Sequence, residues 1–365
     1  DLFHGHGVTV SRNRRGVEVL QTFLRLLAVV NCHKDTFQPH TGVRTCLLIV
    51  ERPSKEIDCP SDYPIFMAIS KKIGQDSEGF PIFKRDANNE LTEFIDHDLD
   101  EVLTDYRLHQ AGRLINSEYR FSICRNQIDH QLRINPQFYL PNLNETIRQI
   151  ESIDGVDGWS VTTLGQICSG IRIYKGPRLK SENLIVENEG PGIEPYYTPS
   201  AVLQEKSDSA KLLNVSLASP KQISTINAVR VYRGDIVITR SGTIGRVAYI
   251  TQRLNGAIVS DDLIRVRIAD EKIRLYVYQF LMSEMALNQM LKNEYGAVQQ
   301  HLEPNHVSDI LIPIPNKWEE VDSLVEMAKA QITIKERLEQ STSSLGQMTD
   351  NLLIRLIKEA KNKSS

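Results

Sequence analysis

Basic and amide-bearing side chains cluster in three short stretches of the chain, and their chemistry is anion binding and hydrogen-bond readout. The stretch GIRIYKGPRLK (170–180) carries Arg172, Lys175, Arg178 and Lys180, contains no acid, and interleaves Tyr174 and two glycines. Lysine and arginine meet phosphates by charge, and an arginine fork meets a guanine edge with paired hydrogen bonds. TRSGTIGR (239–246) adds Arg240, Ser241, Thr243 and Arg246. YGAVQQHLEPNH (295–306) adds Gln299, Gln300 and His301, whose side chains donate and accept at base edges. Each stretch alone has the composition of an ordinary solvated loop. Their joint occurrence in one strand-rich region points to recognition of a nucleic acid.

Catalytic chemistry is missing by comparison. GDIVITRSGTIGRVAYI (234–250) is neither G-x-x-x-x-G-K-[ST] nor G-x-G-x-x-G, and such phosphate loops run from a strand into a helix. Here RVAYI after the turn reads as a strand, so the stretch is a hairpin whose glycines allow a tight turn and close backbone approach. INPQFY (134–139) is similar to the N-P-P-[FY] tetrad with which amino-methyltransferases bind the target base. Gln137 stands where its second proline belongs, and no glycine-rich S-adenosylmethionine loop after a strand precedes it, so it is read as non-catalytic. Asp96, Asp98 and Asp100 have the D-x-D-x-D spacing of a calcium loop without its glycine and distal glutamate, and read as a solvated helix N-terminus. His4 and His6 lack a third ligand and read as a frayed terminus. No catalytic residue, no cofactor-binding residue and no metal ligand is assigned.

Composition bounds the rest. With 365 residues, 41% apolar and 24% charged, the chain has the make-up of an ordinary globular protein of two or three domains. No apolar run approaches the roughly 18 residues of a membrane span, and no cleavage site follows the first apolar run, so no membrane partner is expected. Five cysteines without a C-x-x-C pair exclude a disulfide framework and a zinc ribbon, and favour a reducing cytoplasm. The net charge of -3 decides nothing about DNA, because binding needs a local basic surface and not a basic sum.

The elements that must hold the three stretches are mostly short strands. DIVITR, RVAYI and DLIRVRIA are rich in β-branched residues, and the last alternates strictly. SDILIPIP (308–315) alternates again and ends in prolines. KIRLYVYQFLMSEMALNQMLKN (272–293) is expected as one amphipathic helix. Upstream, VEVLQTFLRLL reads as a helix, LAVVNC (27–32) and TCLLIVER (45–52) as buried strands, PIFMAISKKIGQDSEGFPIF (64–83) as two strands around a charged loop, and 95–110 as a helix with an acidic first turn. Residues 111–150 read as a polar connection plus one helix. Two apolar strands with one helix cannot bury both strand faces, so this region is expected to be the tail of a larger α/β sheet. Over 318–361, Val321, Val325, Ala328 and Ile332 form one stripe, and Leu338, Leu345, Met348, Leu352 and Leu356 a second, with a phase break near 333–337. That pattern favours a long helix pairing with another helix over one packed wholly on its own domain.

The ordered set WSVTTLGQICSG, GDIVITRSGTIGRVAYI, AIVSDDLIRVRI, LYVYQFLMSE, GAVQQHLEPNHVSDILIPIP and a long terminal helix resembles a target recognition domain of type I restriction–modification specificity subunits. RINPQFYLP is similar to the lead-in of such domains. LLAVVNCHKDTFQPHTGVRTCLLIVERP and YPIFMAISKKIGQDSEGFPI resemble the closing strands of the N6-adenine DNA methyltransferase of the same systems. The resemblance implies a fused modification–specificity protein, as in type IIG-like enzymes, of mixed α/β (α+β) fold class. Its expected order is an unassigned segment 1–27, a methyltransferase tail 28–96 from a Rossmann-like sheet, a helical linker 97–154, a β-rich recognition domain 155–316, and a coiled-coil-type helix 317–361. The cofactor loop and N-P-P-[FY] tetrad are absent, so the chain is expected to be part of a longer parent. S-adenosylmethionine would belong to that parent, with no cofactor in this chain. The implied partners are double-stranded DNA, a methyltransferase domain or subunit, a restriction subunit, and a second copy pairing through 318–361.

Two other readings compete: a complete S-adenosylmethionine-dependent methyltransferase whose cofactor site is unrecognised, and a helix-mediated protein-interaction module without DNA contact. Under the leading reading, Gln300→Ala relaxes sequence preference more than overall affinity, whereas Lys175→Ala weakens binding to all sequences alike. Competition binding with matched and scrambled duplexes checks the pair, and an identical response from both variants would show the loops to be misassigned.

Overall fold

The computed structural model describes residues 24–41, 45–52, 62–128, 133–168, 173–204, 210–295 and 301–363. It is a mixed α/β chain that divides into two compact units, one of residues 1–146 with 292–300 and one of 147–291 with 301–365.

In the first unit, strands β1 (Arg25–Asn31), β2 (Cys46–Glu51), β3 (Pro64–Ile69) and β6 (Arg120–Cys124) form a four-stranded sheet in the order β2-β1-β3-β6. β1 runs parallel to β3, and the other two pairings are antiparallel. The uninterrupted apolar run of β3 follows from burial on both faces. Ile65, Met67 and Ile69 enter one core with Phe121 and Phe138, while Phe66 and Ala68 enter another with Ala28 and Val102. Strands β4 (Phe83–Arg85) and β5 (Leu91–Ile95) form a separate hairpin.

Several expectations change here. Residues 25–27 belong to β1, and the rest of the helix expected over VEVLQTFLRLL, like His4 and His6, lies outside the described residues. The stretch 111–150 is not only a connection and a helix, because RFSIC alternates buried Phe121 and Ile123 with more exposed neighbours and so adds β6 to the sheet. The acidic helix Leu99–Gln110 is present, but Asp98 at its N-terminus is buried, not solvated. Its carboxylate accepts from the Ser70 hydroxyl and the Lys71 amide, both at 2.8 Å, which joins the helix start to the end of β3.

The second unit carries two four-stranded sheets and a two-stranded one. β8 (Tyr174–Lys175), β12 (Ile236–Thr239), β13 (Val247–Tyr249) and β15 (Leu263–Val266) are ordered β13-β12-β15-β8, all antiparallel. β9 (Ile185–Val186), β10 (Ile193–Tyr197), β11 (Lys211–Asn214) and β14 (Ile258–Val259) are ordered β14-β10-β11-β9. β7 (Trp159–Thr163) pairs antiparallel with β16 (Leu311–Pro315), and the prolines expected to end that alternating run lie inside the ladder, as an edge strand permits. Thr163 closes β7 and caps the short helix Leu164–Ile167 in a box with Gln166.

β12 is the centre of this unit. Ile236 and Ile238 point into one core and Val237 into another, each fully buried, as a strand covered on both faces requires. The first core is completed by the helix Glu271–Leu281 and by Met290, Ile310 and Ile312. The single helix expected over 272–293 is two, Glu271–Leu281 and Glu284–Tyr295. Ser283 makes the break: its hydroxyl bonds the Phe280 carbonyl at 2.6 Å and meets the Ala286 amide at 3.3 Å, capping the second helix.

The terminal helix Asp322–Lys363 is continuous for 42 residues, about 63 Å at 1.5 Å per residue. Its two stripes behave differently. Val325, Ala328 and Ile332 are buried in the unit's main core, and Glu336 and Glu339 hold Arg233 and Arg253 at 3.2 and 3.3 Å. Beyond the phase break, Leu345, Met348, Leu352 and Leu356 are exposed.

Candidate nucleic-acid interface

Topology gathers sequence-distant stretches at one end of the β13-β12-β15-β8 sheet. β12 ends at Thr239 opposite Leu263, where antiparallel β15 begins. β8 pairs Lys175 with Ile264, so it runs in the sense of β12 and hands the basic stretch to the same end. The loop 240–246, the segment Ser260-Asp261-Asp262 and residues 176–180 therefore leave the sheet together. The segment after the second helix joins them, because the Leu302 amide donates to the Arg240 carbonyl at 3.0 Å.

The loop between β12 and β13 is the seven residues 240–246 and not the tight turn expected, since β12 ends at Thr239 and β13 begins at Val247. It is built on Thr239, whose hydroxyl bonds the Thr243 carbonyl at 2.5 Å and accepts from the Arg246 amide at 3.0 Å. Ile244 plugs the loop into the core. Gly242 and Gly245 both have positive φ, +73° and +76°, and a Cβ on Gly245 would meet Leu287 at 2.8 Å. Glycine is required at the second by conformation and by space, and at the first by conformation alone.

The candidate contacts fall into different surroundings. Arg178, Lys180, Thr243 and Arg246 are exposed, and Lys175, Ser241 and His301 are half-buried. Arg178 lies close enough to Tyr196 to act on its hydroxyl, which burial pushes above its ordinary value, with the Ser260 hydroxyl and Arg178 opposing and Asp261 and Asp262 adding to the rise. Arg240 is only 13% exposed: its guanidinium bonds Glu303 at 2.5 Å and stands 3.9 Å from Asp262. Ser241 donates to Asp262 at 2.8 Å. His301 Nδ1 is buried with no hydrogen-bond partner among the described residues. Arg172, Gln299 and Gln300 lie outside the described residues.

The residues missed at the sequence level are the acids. Asp261, Asp262 and Glu303 share this end of the sheet with the basic side chains. Carboxylates accept from the amino groups of cytosine and adenine, so acids belong in such a surface as much as arginines do. The signal was present in the paired aspartates immediately before an alternating strand.

Below the loops, a second set of charges fixes the framework. Asp235 is 2% exposed and takes a two-bond fork from Arg267 at 2.6 and 2.9 Å. Arg265 stands 3.9 Å from the same carboxylate, bonds the Arg230 carbonyl, and lies 5.4 Å over the Tyr174 ring of β8. Burial lowers the Arg265 guanidinium from its ordinary value, with Asp235 acting against that shift. Glu194 is held below the usual carboxylate range by its hydrogen bonds from Arg230, at 2.7 and 3.0 Å.

Burial raises the Cys168 thiol to about 11, which keeps it a neutral thiol at physiological pH and a poor nucleophile. In the first unit, Asn135 of INPQFY caps the turn Pro136–Tyr139, its Oδ1 accepting from Gln137 N at 3.1 Å and Asn31 Nδ2 at 2.6 Å. Phe138 and Tyr139 are core residues, so the segment offers no ring to a base and does not fit a target-base pocket.

Asp235 generates a measurable expectation. Asp235→Ala leaves Arg265 and Arg267 without their buried counter-charge and is expected to cost about 3–5 kcal/mol by urea unfolding. Lys180→Ala on the exposed loop is expected to stay within about 0.5 kcal/mol.

Residues 156–353 match the type I restriction modification DNA specificity domain family. No curated protein matches the chain. Among solved structures, a chain described under complex assembly and conformational transition of the type I R-M system is 19% identical with a TM-score of 0.34, over 56% of this chain and 50% of that one. The HsdS subunit from Thermoanaerobacter tengcongensis is 18% identical with a TM-score of 0.35, over 54% and 48%. The type IIG restriction endonuclease BpuSI is 10% identical with a TM-score of 0.38, over 87% and 40%. The chain spans about half the length of the first two. The family match takes in the β13-β12-β15-β8 sheet, all the loops at its end and most of the long helix. By that match, which covers more than half of its length, the chain belongs to the type I restriction modification DNA specificity domain family.

Proposed function

We propose that this chain reads a sequence in double-stranded DNA with the loops at one end of the β13-β12-β15-β8 sheet, and so directs an N6-adenine methyltransferase to its site. The observation that carries the reading is the convergence there of 176–180, 240–246, 260–262 and 301–303 from four places in the chain. Exposed Arg178, Lys180 and Arg246, with half-buried Lys175, suit phosphates and guanine edges. Thr243, Ser241 and His301, with the acid Asp261, suit base edges. Arg172, Gln299 and Gln300 complete the candidate set from the neighbouring stretches.

Residues 28–96 are read as the tail of the methyltransferase, which supports a fused modification–specificity parent in which S-adenosylmethionine binds elsewhere. On this reading the chain directs methylation without performing it, alongside a methyltransferase domain and a restriction subunit in the cytoplasm. Binding to a duplex is expected to fall steeply with salt, with Arg178→Ala and Arg246→Ala each lowering the log–log slope by about 1. The same samples given labelled S-adenosylmethionine are expected to transfer no methyl group to DNA. Flat or absent salt dependence would favour the protein-interaction reading, and methyl transfer would establish an enzyme.

A second copy is the proposed partner of the distal helix. Leu345, Met348, Leu352 and Leu356 form an exposed stripe at spacings of three and four, which suits pairing with another helix. Sedimentation equilibrium of the unaltered chain is expected to show a dimer, and Leu345→Glu with Leu352→Glu a monomer whose thermal unfolding is unchanged. A monomer from the unaltered chain would remove the pairing.

A further inference from the structure

We propose that Arg240 is a positioning residue: its clasp on Glu303 and Asp262 holds the loop 240–246, the segment 260–262 and the segment 301–303 in one register, and this register sets sequence preference. The inference rests on the DNA-recognition reading. By composition Arg240 belongs with the phosphate-binding cations. Its surroundings separate it from them.

Three kinds of bond meet at this residue. The Arg240 amide donates to the Asp262 carbonyl at 2.9 Å, and the Arg240 carbonyl accepts from the Leu302 amide at 3.0 Å. Through its backbone alone it therefore ties together segments 22 and 62 residues away in sequence. The guanidinium repeats the connection, bonding Glu303 at 2.5 Å and standing 3.9 Å from Asp262. Ser241 adds a bond to the same aspartate at 2.8 Å.

The far side of the clasp is also fixed. Asp262 accepts from Ser260 at 3.3 Å, and Glu303 stands at the start of the helix Pro304–Ser308, its amide donating to His306 Nδ1 at 3.3 Å. The guanidinium is 13% exposed, and its Nε is buried without a hydrogen-bond partner. For Arg240 to reach a phosphate, a short charge-assisted bond would break and two carboxylates would be left facing a polyanion. Arg178, Lys180 and Arg246 form no ion pair among the described residues and need no such rearrangement. One charge in this cluster thus arranges the surface, while its neighbours meet the DNA.

The test separates positioning from phosphate contact. A duplex enriched by the unaltered chain from a random pool is compared with a scrambled duplex of equal length, across a salt series. Arg240→Gln and Glu303→Gln are each expected to reduce the enriched-over-scrambled affinity ratio by about tenfold, the effect of losing readout at one base pair. The salt slope on scrambled DNA should stay unchanged, and the double variant should be no worse than either single one. If Arg240 contacts phosphate, Arg240→Gln lowers the slope by about 1 and weakens both duplexes alike, while Glu303→Gln strengthens both; either result overturns the proposal. Should Arg240→Gln fail to fold by thermal melting, Glu303→Gln and Asp262→Asn, which keep shape and remove charge, decide the matter by the same ratio. Enrichment of no sequence by the unaltered chain overturns the recognition reading itself, and the clasp with it.

Discussion

The recognition unit depends on one constraint: a four-residue strand, Ile236–Thr239, buried on both faces. A strand so placed must be apolar on both sides, must be flanked by partners on both edges, and must turn its polar chemistry out at its ends. The β13 and β15 ladders satisfy its backbone. Two cores satisfy its side chains. Only beyond Thr239 does the chain become polar, and there the loops collect.

Charge is used in two ways around that strand. Along β15 and the two residues after it, Arg265 and Arg267 alternate with buried Ile264, Val266 and Ile268, and meet Asp235 just before β12. These arginines are framework: each has a carboxylate or a carbonyl close by. At the opposite end of the strand, Arg178, Lys180 and Arg246 face solvent with no carboxylate partner among the described residues. Residue type does not distinguish the two groups. Distance from a buried acid does, which is why arginine counts in a sequence are a weak guide to a DNA surface.

Legibility in the sequence followed the same division. β-branched runs with clean alternation, such as DIVIT and LIRV, were readable because a strand's period is local. The hairpin was readable as a hairpin, but its loop was wider than its glycines suggested, because Ile244 is drawn into the core between them. The helix break at Ser283 was hidden by an apolar pattern that runs through it, and only the hydroxyl bonded back to Phe280 reveals it. β6 was missed because five residues with two buried ones give too short a signal. Composition singled out three basic and amide-bearing stretches, of which Arg172, Gln299 and Gln300 lie outside the described residues. The acids and the internal role of Arg240's neighbours were not legible, since they arise from pairings across 22 and 62 residues that no local pattern encodes.

The seating of the exposed loop residues has a consequence for how such a protein changes over time. Thr243, Arg246, Arg178 and Lys180 project from a sheet whose stability is set by Ile236, Val237, Ile238 and Asp235. Substitution at exposed positions is close to neutral for folding, whereas substitution in the core is not. Variation can therefore accumulate on the exposed loops while the scaffold beneath is held constant by selection. A lineage can drift from one preferred sequence to another in single steps, each passing through a folded protein, and the cost of novelty falls on recognition alone.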